Sequence, residues 1–183
     1  YNIMAAFLPI SYPHSWFIQN YFYLVLIAPI LNVFTNNSSR RQLEIMILIF
    51  TFFMCYLGFI RHINPFYNGY NVFNFILLYF IGRYINIYKV RIKTNIAILG
   101  FLVCVLILSL SNFLSIYYFF TDESLACDIM WYDNPILIFG SVFFFLVFVN
   151  VKFYNKYVNW IASSILSVYL LQEGAGLIYE QNE

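Results

Sequence analysis

The sequence predicts an all-α fold, that of a polytopic helical membrane protein with about six transmembrane helices. Of the 183 residues, 63% are apolar and only 9% are charged, whereas a soluble domain carries roughly a quarter charged residues. The mean hydropathy is +0.77. The apolar residues form long continuous runs, which differ from the alternation over about ten residues that is typical of membrane β-barrel strands.

Six apolar segments approach or exceed the length that a bilayer crossing needs, which is about 20 residues. We expect them to form a single transmembrane helical domain over residues 1–183. The chain begins at Tyr1, within an amphipathic segment, so we expect this domain to be a fragment of a larger core. The predicted spans are residues 16–33, 43–60, 72–88, 95–120, 135–151 and 158–179.

The distribution of Lys and Arg over the loops predicts the orientation in the membrane. The first, third and fifth loops together carry seven basic residues, and the second and fourth carry only Arg61. Because basic loops stay on the cytoplasmic side, we expect Tyr1–Ser15 to lie outside and the last span to run outward. The basic residues of the odd loops are Arg40, Arg41, Lys89, Arg91, Lys93, Lys152 and Lys156.

Several kinds of chemistry find no support in the sequence. It contains no zinc-ligand spacing, no phosphate-binding loop and no nucleophile elbow, so we expect no metal site. The formal net charge of +1 gives no indication of a nucleic-acid partner. The three cysteines do not form a disulfide framework, and we interpret them as small buried hydrophobic residues.

Polar residues within the apolar runs are the candidates for a binding site. Glu173 is costly near a membrane core unless it contacts a partner on another helix or lines a polar cavity. Tyr169 lies one helical turn before it on the same face, with Gln172 beside them. In the third span, Arg83 either extends to the interface or faces a water-filled cavity, where it binds a phosphate or carboxylate.

Three stretches in the chain carry a family resemblance. Trp16–Asn32 opens on Trp-Phe, contains Tyr21 and closes on APILN. The pair Asn68-Gly69 is followed by LLYFIGRYI over Leu77–Ile85, which is similar to a Tyr-x-x-Gly-x-Tyr span, and VNWIASSILSVYLLQE over Val158–Glu173 is similar to a late Ser-x-x-x-x-Val-Tyr-Leu helix. In this order, the stretches resemble the membrane acyltransferases of family 3, which O-acylate cell-surface polysaccharides and related acceptors.

The resemblance implies an integral membrane O-acyltransferase that moves an acyl group, usually acetyl, from a cytoplasmic coenzyme A thioester to a polysaccharide hydroxyl. It implies acetyl-CoA as the donor, a surface polysaccharide or lipid-linked glycan as the acceptor, and the bacterial inner membrane as the location. The family's histidine in the first span and its Arg-x-x-Arg are not matched, because His14 and His62 lie in predicted outer loops and Arg40-Arg41 has another spacing. Gln172 stands where the family often has histidine. We therefore expect the main catalytic residues to lie outside this fragment.

Under this resemblance, the chain supplies an outer vestibule for the acceptor and part of an acyl channel, with Arg83 on the donor side. Two other functions stay open. One is a transporter or flippase for a glycan lipid, in which intramembrane charges are common. The other is an outer-face glycan polymerase, against which the short acidic loop over residues 121–134 argues. The candidate residues on the acceptor side are Trp16, Gln19, Asn68, Tyr169, Gln172 and Glu173.

Overall fold

The structure, a computed structural model, describes residues 16–118, 129–151 and 154–165. Residues 16–150 form one compact unit, and the described residues from 151 onward belong to a second unit. Within the described ranges, the regular elements are helices, without a strand. The predicted all-α fold of a helical membrane protein is confirmed.

In the described part of the unit over residues 16–150, the limits of five α-helices follow the apolar runs closely. Each begins within three residues of the start of a predicted span and, when α2 is taken together with the π-helix that continues it, ends within four residues of its end. In the second unit, residues 156–165 are helical, near the predicted start of the sixth span. The helices are α1 (Trp16–Asn37), α2 (Arg40–Thr51), which continues as a π-helix (Phe52–Ile60), α3 (Val72–Ile87), α4 (Thr94–Tyr118) and α5 (Pro135–Asn150).

Three of the described helical stretches are long and apolar enough to cross a membrane. They are α1, α2 together with the π-helix, and Thr94–Ser115 of α4. The other two, α3 and α5, are apolar and have 16 residues each, slightly fewer than the roughly 20 that a straight crossing needs. Large apolar side chains point outward from these helices, as expected for contact with lipid.

Polar caps begin two of the helices. Before α2, the Ser39 hydroxyl accepts from the backbone N–H of Gln42, and the Gln42 side chain accepts from the backbone N–H of Ser39 at 2.8 Å. This reciprocal capping box satisfies donors that the first helical turn leaves unpaired. Before α3, Asn71 Oδ1 accepts from the backbone N–H of Asn74 at 3.1 Å. The turn between α1 and α2 contains only two residues, and both helices pack against α3.

Helix α3 packs against each of α1, α2, α4 and α5 and forms the centre of the unit. Buried residues of α3 join Leu43 of α2, Met54 of the π-helix, and Ile138 and Leu146 of α5 in three hydrophobic clusters. Helices α4 and α5 approach each other closely at Gly100, where a Cβ would lie 2.8 Å from the Phe143 ring. Small residues allow such close packing between membrane helices.

The helices alternate in direction, so their connections gather at two ends of the unit. We call one the Trp16 end; it comprises Trp16, residues 61–71 and residues 129–134. We call the other the Arg40 end; it comprises Arg40 and residues 88–93. Two hydrogen bonds show that α1 and α3 run in the same direction. Asn20 near the start of α1 bonds to Tyr70 just before α3, and Thr35 near the end of α1 bonds to Arg83 near the end of α3.

Candidate functional site

Three aromatic side chains from separate parts of the chain meet at the Trp16 end. The Trp16 ring centroid lies 4.5 Å from that of Tyr70 and 5.3 Å from that of Tyr132, and the two tyrosine rings are 5.4 Å apart. We call these three residues the aromatic triad. Tyr70 and Tyr132 are 42% and 43% exposed. The triad therefore presents apolar ring faces beside hydroxyl groups.

Hydrogen bonds fix the backbone on which the triad stands. The backbone N–H of Tyr132 donates to the carbonyl oxygen of Asn68 at 3.1 Å. The side-chain amide of Asn74, which is buried, donates to the carbonyl oxygens of Gly69 and Tyr132 at 3.3 Å each. The buried Asn20 amide of α1 donates to the Tyr70 carbonyl oxygen at 3.3 Å. The connections before α3 and before α5 are thus tied to each other and to α1.

A buried acidic residue follows the last member of the triad in the chain. Asp133 follows Tyr132 and is fully buried. A Cβ on Gly58 would lie 2.7 Å from the Phe66 carbonyl oxygen and 3.0 Å from Asp133 Oδ2, and a Cβ on Gly69 would lie 2.7 Å from the backbone nitrogen of Asp133. Two glycines therefore make room for this carboxylate.

The chain around Gly58 departs from regular α-helical geometry. Phe52–Ile60 is a π-helix, and the backbone N–H of Arg61 still donates to the Tyr56 carbonyl oxygen five residues earlier, at 3.0 Å. Such wide turns within helices are rare and occur frequently at functional sites. Here the wide turn brings Gly58 against the loop before α3 and against Asp133.

Tyr70 keeps its hydroxyl proton over the physiological range. Burial, followed by the neighbouring Tyr132, raises the pKa of Tyr70 above its ordinary value. The backbone at Tyr70 is held by Asn68, whose Oδ1 accepts from the Tyr70 N–H at 3.1 Å and whose own φ is +61°. Asparagine is one of the residues that adopts this left-handed conformation most readily. Tyr70 therefore offers a neutral hydroxyl group as a hydrogen-bond donor and acceptor.

Charged side chains gather at the Arg40 end. Arg40 Nε donates to Glu44 Oε1 at 3.0 Å and to the Tyr84 hydroxyl at 3.1 Å, and that hydroxyl donates to Glu44 Oε1 at 2.6 Å. The Arg40 guanidinium also lies over the ring of Tyr88, 5.5 Å from its centroid. These contacts join the start of α2 to the end of α3.

Arg83 links α3 to α1 at the same end. Its Nε donates to Thr35 Oγ1 at 3.3 Å, and its Nη2 donates to Asn36 Oδ1. One turn earlier on α3, the Tyr79 hydroxyl donates to Asn32 Oδ1 at 2.5 Å. Arg83 therefore makes polar contacts with the end of α1.

A cavity of 520 Å³ lies between α2 with its π-helix, α3 and α5. Glu44 and Tyr84 line it toward the Arg40 end, and Cys55 and Pro135 line it toward the Trp16 end. The eleven residue steps from Glu44 to Cys55 rise about 16 Å along a helix, roughly half of the 30 Å hydrocarbon core. Its remaining wall is almost entirely aliphatic.

Comparison with known families decides the identity of the chain. The profile of the acyltransferase domain of family 3 matches residues 2–180, which is nearly the whole sequence. The chain belongs to this family. The resemblance inferred from the three sequence stretches is thereby confirmed, and the chain is an acyltransferase domain of a membrane protein. No curated protein and no solved structure matched the chain.

The structure places four of the predicted site residues of this acyltransferase. Trp16 belongs to the aromatic triad, Asn68 shapes the backbone beneath it, and Gln19 is half-buried one turn further along α1. These three share the Trp16 end, and Arg83 lies at the Arg40 end. The predicted residues Tyr169, Gln172 and Glu173 lie outside the described residues. In the part of the chain that the structure describes, no three His, Cys, Asp or Glu residues gather as metal ligands would.

Sequence reasoning missed Tyr70, Tyr132 and Asp133 of the acyltransferase. They lie in loops rich in turn-forming residues, RHINPFYNGYN before α3 and WYDNP before α5. Each loop puts tyrosine and asparagine beside proline, which is a signal for ordered turns. That signal indicates structure at this end of the spans, but it does not indicate that the two loops meet.

Proposed function

We propose that this acyltransferase transfers an acetyl group from cytoplasmic acetyl-CoA to a hydroxyl of a cell-surface polysaccharide, as part of an O-acyltransferase of the bacterial plasma membrane. Membership of the family supports acyl transfer. One observation supports acetyl-CoA as the donor and a polysaccharide as the acceptor: the same helices carry two chemically different groups of side chains at opposite ends. The aromatic triad lies at one end of the unit, and the basic groups lie at the other.

The proposed orientation places the Arg40 end in the cytoplasm, where the donor is found. Coenzyme A carries several phosphate charges, and the Arg40 end carries Arg40, Arg41 and the basic residues of the loop over residues 88–93. Cations attract such a ligand and raise its association rate. Arg83 stays a proposed donor-side residue, and its bonds to Thr35 and Asn36 hold α3 to α1 beside these cations.

The aromatic triad suits the acceptor. A sugar ring has apolar C–H faces and a rim of hydroxyl groups, so it packs on exposed aromatic faces and exchanges hydrogen bonds with neighbouring tyrosine hydroxyls. We assign this role to Trp16, Tyr70 and Tyr132, with Asn68 and Gln19 supporting them. Tyr169, Gln172 and Glu173 of the predicted sixth span stay proposed acceptor residues on sequence grounds.

The reaction itself is balanced without a redox partner or a metal. The acceptor oxygen attacks the thioester carbonyl carbon, the C–S bond breaks, and the hydroxyl proton leaves with coenzyme A as its thiol. The residues of this chain orient the acceptor and exclude water, which accelerates transfer over hydrolysis. We assign the role of proton acceptor to the family's catalytic histidine, which is not matched in this chain.

Substitutions in the triad test the acceptor side. In the whole protein that contains this chain, Tyr132→Ala should reduce transfer of labelled acetyl from acetyl-CoA to membrane glycan about 2- to 10-fold at limiting acceptor, because one aromatic contact is worth roughly 0.5–1.5 kcal/mol. The matched control is Tyr23→Ala, which alters a tyrosine of α1 with similar exposure, 42%, outside the triad. Equal activity of both variants would reject the triad as the acceptor site.

A substitution in the predicted sixth span tests the other acceptor residues. Glu173→Ala should reduce glycan acetylation while the amount of protein in the membrane stays unchanged, because the acceptor loses a hydrogen-bonding carboxylate. Glu180→Ala, which lies beyond the predicted span, is the control. Unaltered acetylation in the Glu173 variant would reject that residue, and movement of unacetylated glycan by the wild type would favour a flippase.

A further inference from the structure

We propose that the cavity between α2, α3 and α5 holds the acyl-pantetheine arm of the donor thioester, while the Arg40 end binds the donor's phosphates. This inference rests on the proposed function, because it takes a coenzyme A thioester as the donor. It assigns the donor path to a face of α2 and α3 that includes Glu44, Tyr84 and Cys55.

The shape of the cavity matches a long and narrow ligand. Pantetheine consists of three peptide-like units joined end to end, which extend to at least about 10 Å. The cavity extends about 16 Å along α2 and has a volume of 520 Å³. Its aliphatic wall, which includes Ile81 and Val142, suits the methylene and methyl groups of the arm.

A few polar groups on the cavity wall favour this arm over a lipid chain. Glu44, Tyr84 and Thr51 contribute carboxylate and hydroxyl groups to an otherwise apolar lining. The two amides and the hydroxyl of pantetheine need such partners, since an amide without one is costly in an apolar site. A hydrocarbon chain could form no hydrogen bond with any of these groups, whereas the arm can bond to Thr51 and to the remaining lone pairs of Glu44.

The charges at the entrance suit the nucleotide part of the donor. Val90 lines the cavity, and its chain neighbours Lys89 and Arg91 are exposed. Arg40 is also exposed and pairs with Glu44 of the lining. Phosphate groups bind arginine and lysine strongly, so these exposed cations suit the phosphates of the donor.

The far end of the cavity points toward the acceptor site. Cys55 is one turn before Gly58, whose Cβ position lies 3.0 Å from Asp133 Oδ2. Pro135 also lines the cavity, three residues after Tyr132 of the aromatic triad. An arm inserted from the Arg40 end thus carries its thioester toward the end of the unit where the acceptor binds.

Protection of Cys55 tests this inference directly. The whole protein is prepared with Cys55 as its one cysteine and is treated with N-ethylmaleimide, and the labelling rate is followed by mass spectrometry. Desulfo-coenzyme A, which keeps the arm but has no thiol, should slow labelling at least about tenfold at saturation. Adenosine 3′,5′-bisphosphate, which lacks the arm, should leave the rate unchanged.

A second cysteine provides the matched control. Cys104 is buried between α4 and α5, where it lines a separate cavity of 170 Å³. In a variant with Cys104 as the one cysteine, desulfo-coenzyme A should not change the labelling rate. Equal effects of the two nucleotides on Cys55, equal effects on both cysteines, or no protection at all would overturn the inference.

Filling the cavity gives an independent measurement. Val142→Phe should remove the protection of Cys55, whereas Val103→Phe, at an exposed position of α4, should preserve it. If Val142→Phe does not fold, the protection of Cys55 in the protein without this substitution decides whether the cavity holds the arm. Acetyl transfer without Cys55 protection would overturn the cavity assignment alone, and protection without acetyl transfer to glycan would overturn the proposed function alone.

Discussion

At the scale of single residues, two glycines determine how closely the connections of the Trp16 end can approach. Gly58, two residues before the end of its π-helix, packs against the Phe66 carbonyl oxygen and Asp133, and Gly69 has φ = +75° against the backbone of Asp133. A side chain at either position would displace the segment that carries Tyr132. The absence of a Cβ is therefore what permits the triad to assemble next to a buried carboxylate.

Gly58→Ala should destabilise the protein, although alanine is the better helix former. The new Cβ would lie 2.7 Å from a carbonyl oxygen, and overpacking of this kind costs about 1–3 kcal/mol. The control is Gly82→Ala in α3, where nothing lies within 4 Å of the added Cβ and stability should rise by roughly 0.5–1 kcal/mol. Thermal unfolding in detergent measures both, and a Gly58 variant as stable as the Gly82 variant would contradict the described packing.

At the scale of elements, α3 holds the two ends of the unit in place. Its first turn carries Asn74, whose buried amide bonds to Gly69 and Tyr132. Its last turns carry Arg83 and Tyr84, which bond to α1 and α2. A helix with polar contacts at both ends and apolar contacts between them keeps the two proposed sites at a constant separation.

Asn74→Leu should loosen the Trp16 end while the helices remain folded. The substitution removes both amide donors from buried carbonyl oxygens, which costs about 1–3 kcal/mol. Hydrogen exchange should therefore rise in residues 68–70 and 131–134 and stay unchanged in α4. Asn95→Leu, at an exposed position near the start of α4, serves as the control. Unchanged exchange around Tyr132 in the Asn74 variant would show that the amide does not hold this segment.

The sequence allowed the helices to be predicted, but it did not allow the aromatic triad, the π-helix or the cavity to be predicted. Long apolar runs indicate each helix directly, and the start of α3 is further marked by its Asn71 cap. The aromatic triad depends on contacts between Trp16, Tyr70 and Tyr132, which are far apart in the chain. The π-helix depends on the fit of Gly58 to another segment. Such long-range packing leaves no periodic signal in the sequence, and the cavity between three helices leaves none either.

At the scale of the whole molecule, the acyltransferase separates a basic end from an aromatic end across its apolar helices. Arg40, Lys89 and Arg91, three of the basic residues that predict the orientation in the membrane, lie beside the lining of the proposed donor cavity. One set of charges would then orient the protein and attract its donor. In the proposed mechanism, the donor enters from the Arg40 end and the acetyl group appears on the opposite side of the membrane.

Membrane vesicles of defined orientation distinguish donor entry at the Arg40 end from donor entry at the Trp16 end. Labelled acetyl-CoA, which does not cross membranes, is added to inside-out and right-side-out vesicles that contain the whole protein, and label in the glycan is measured. If the donor enters from the cytoplasmic side, transfer is expected in inside-out vesicles, with labelled glycan enclosed in the lumen, and none is expected in intact right-side-out vesicles. Transfer from acetyl-CoA supplied to the right-side-out vesicles, or no transfer in either, would contradict donor entry at the Arg40 end.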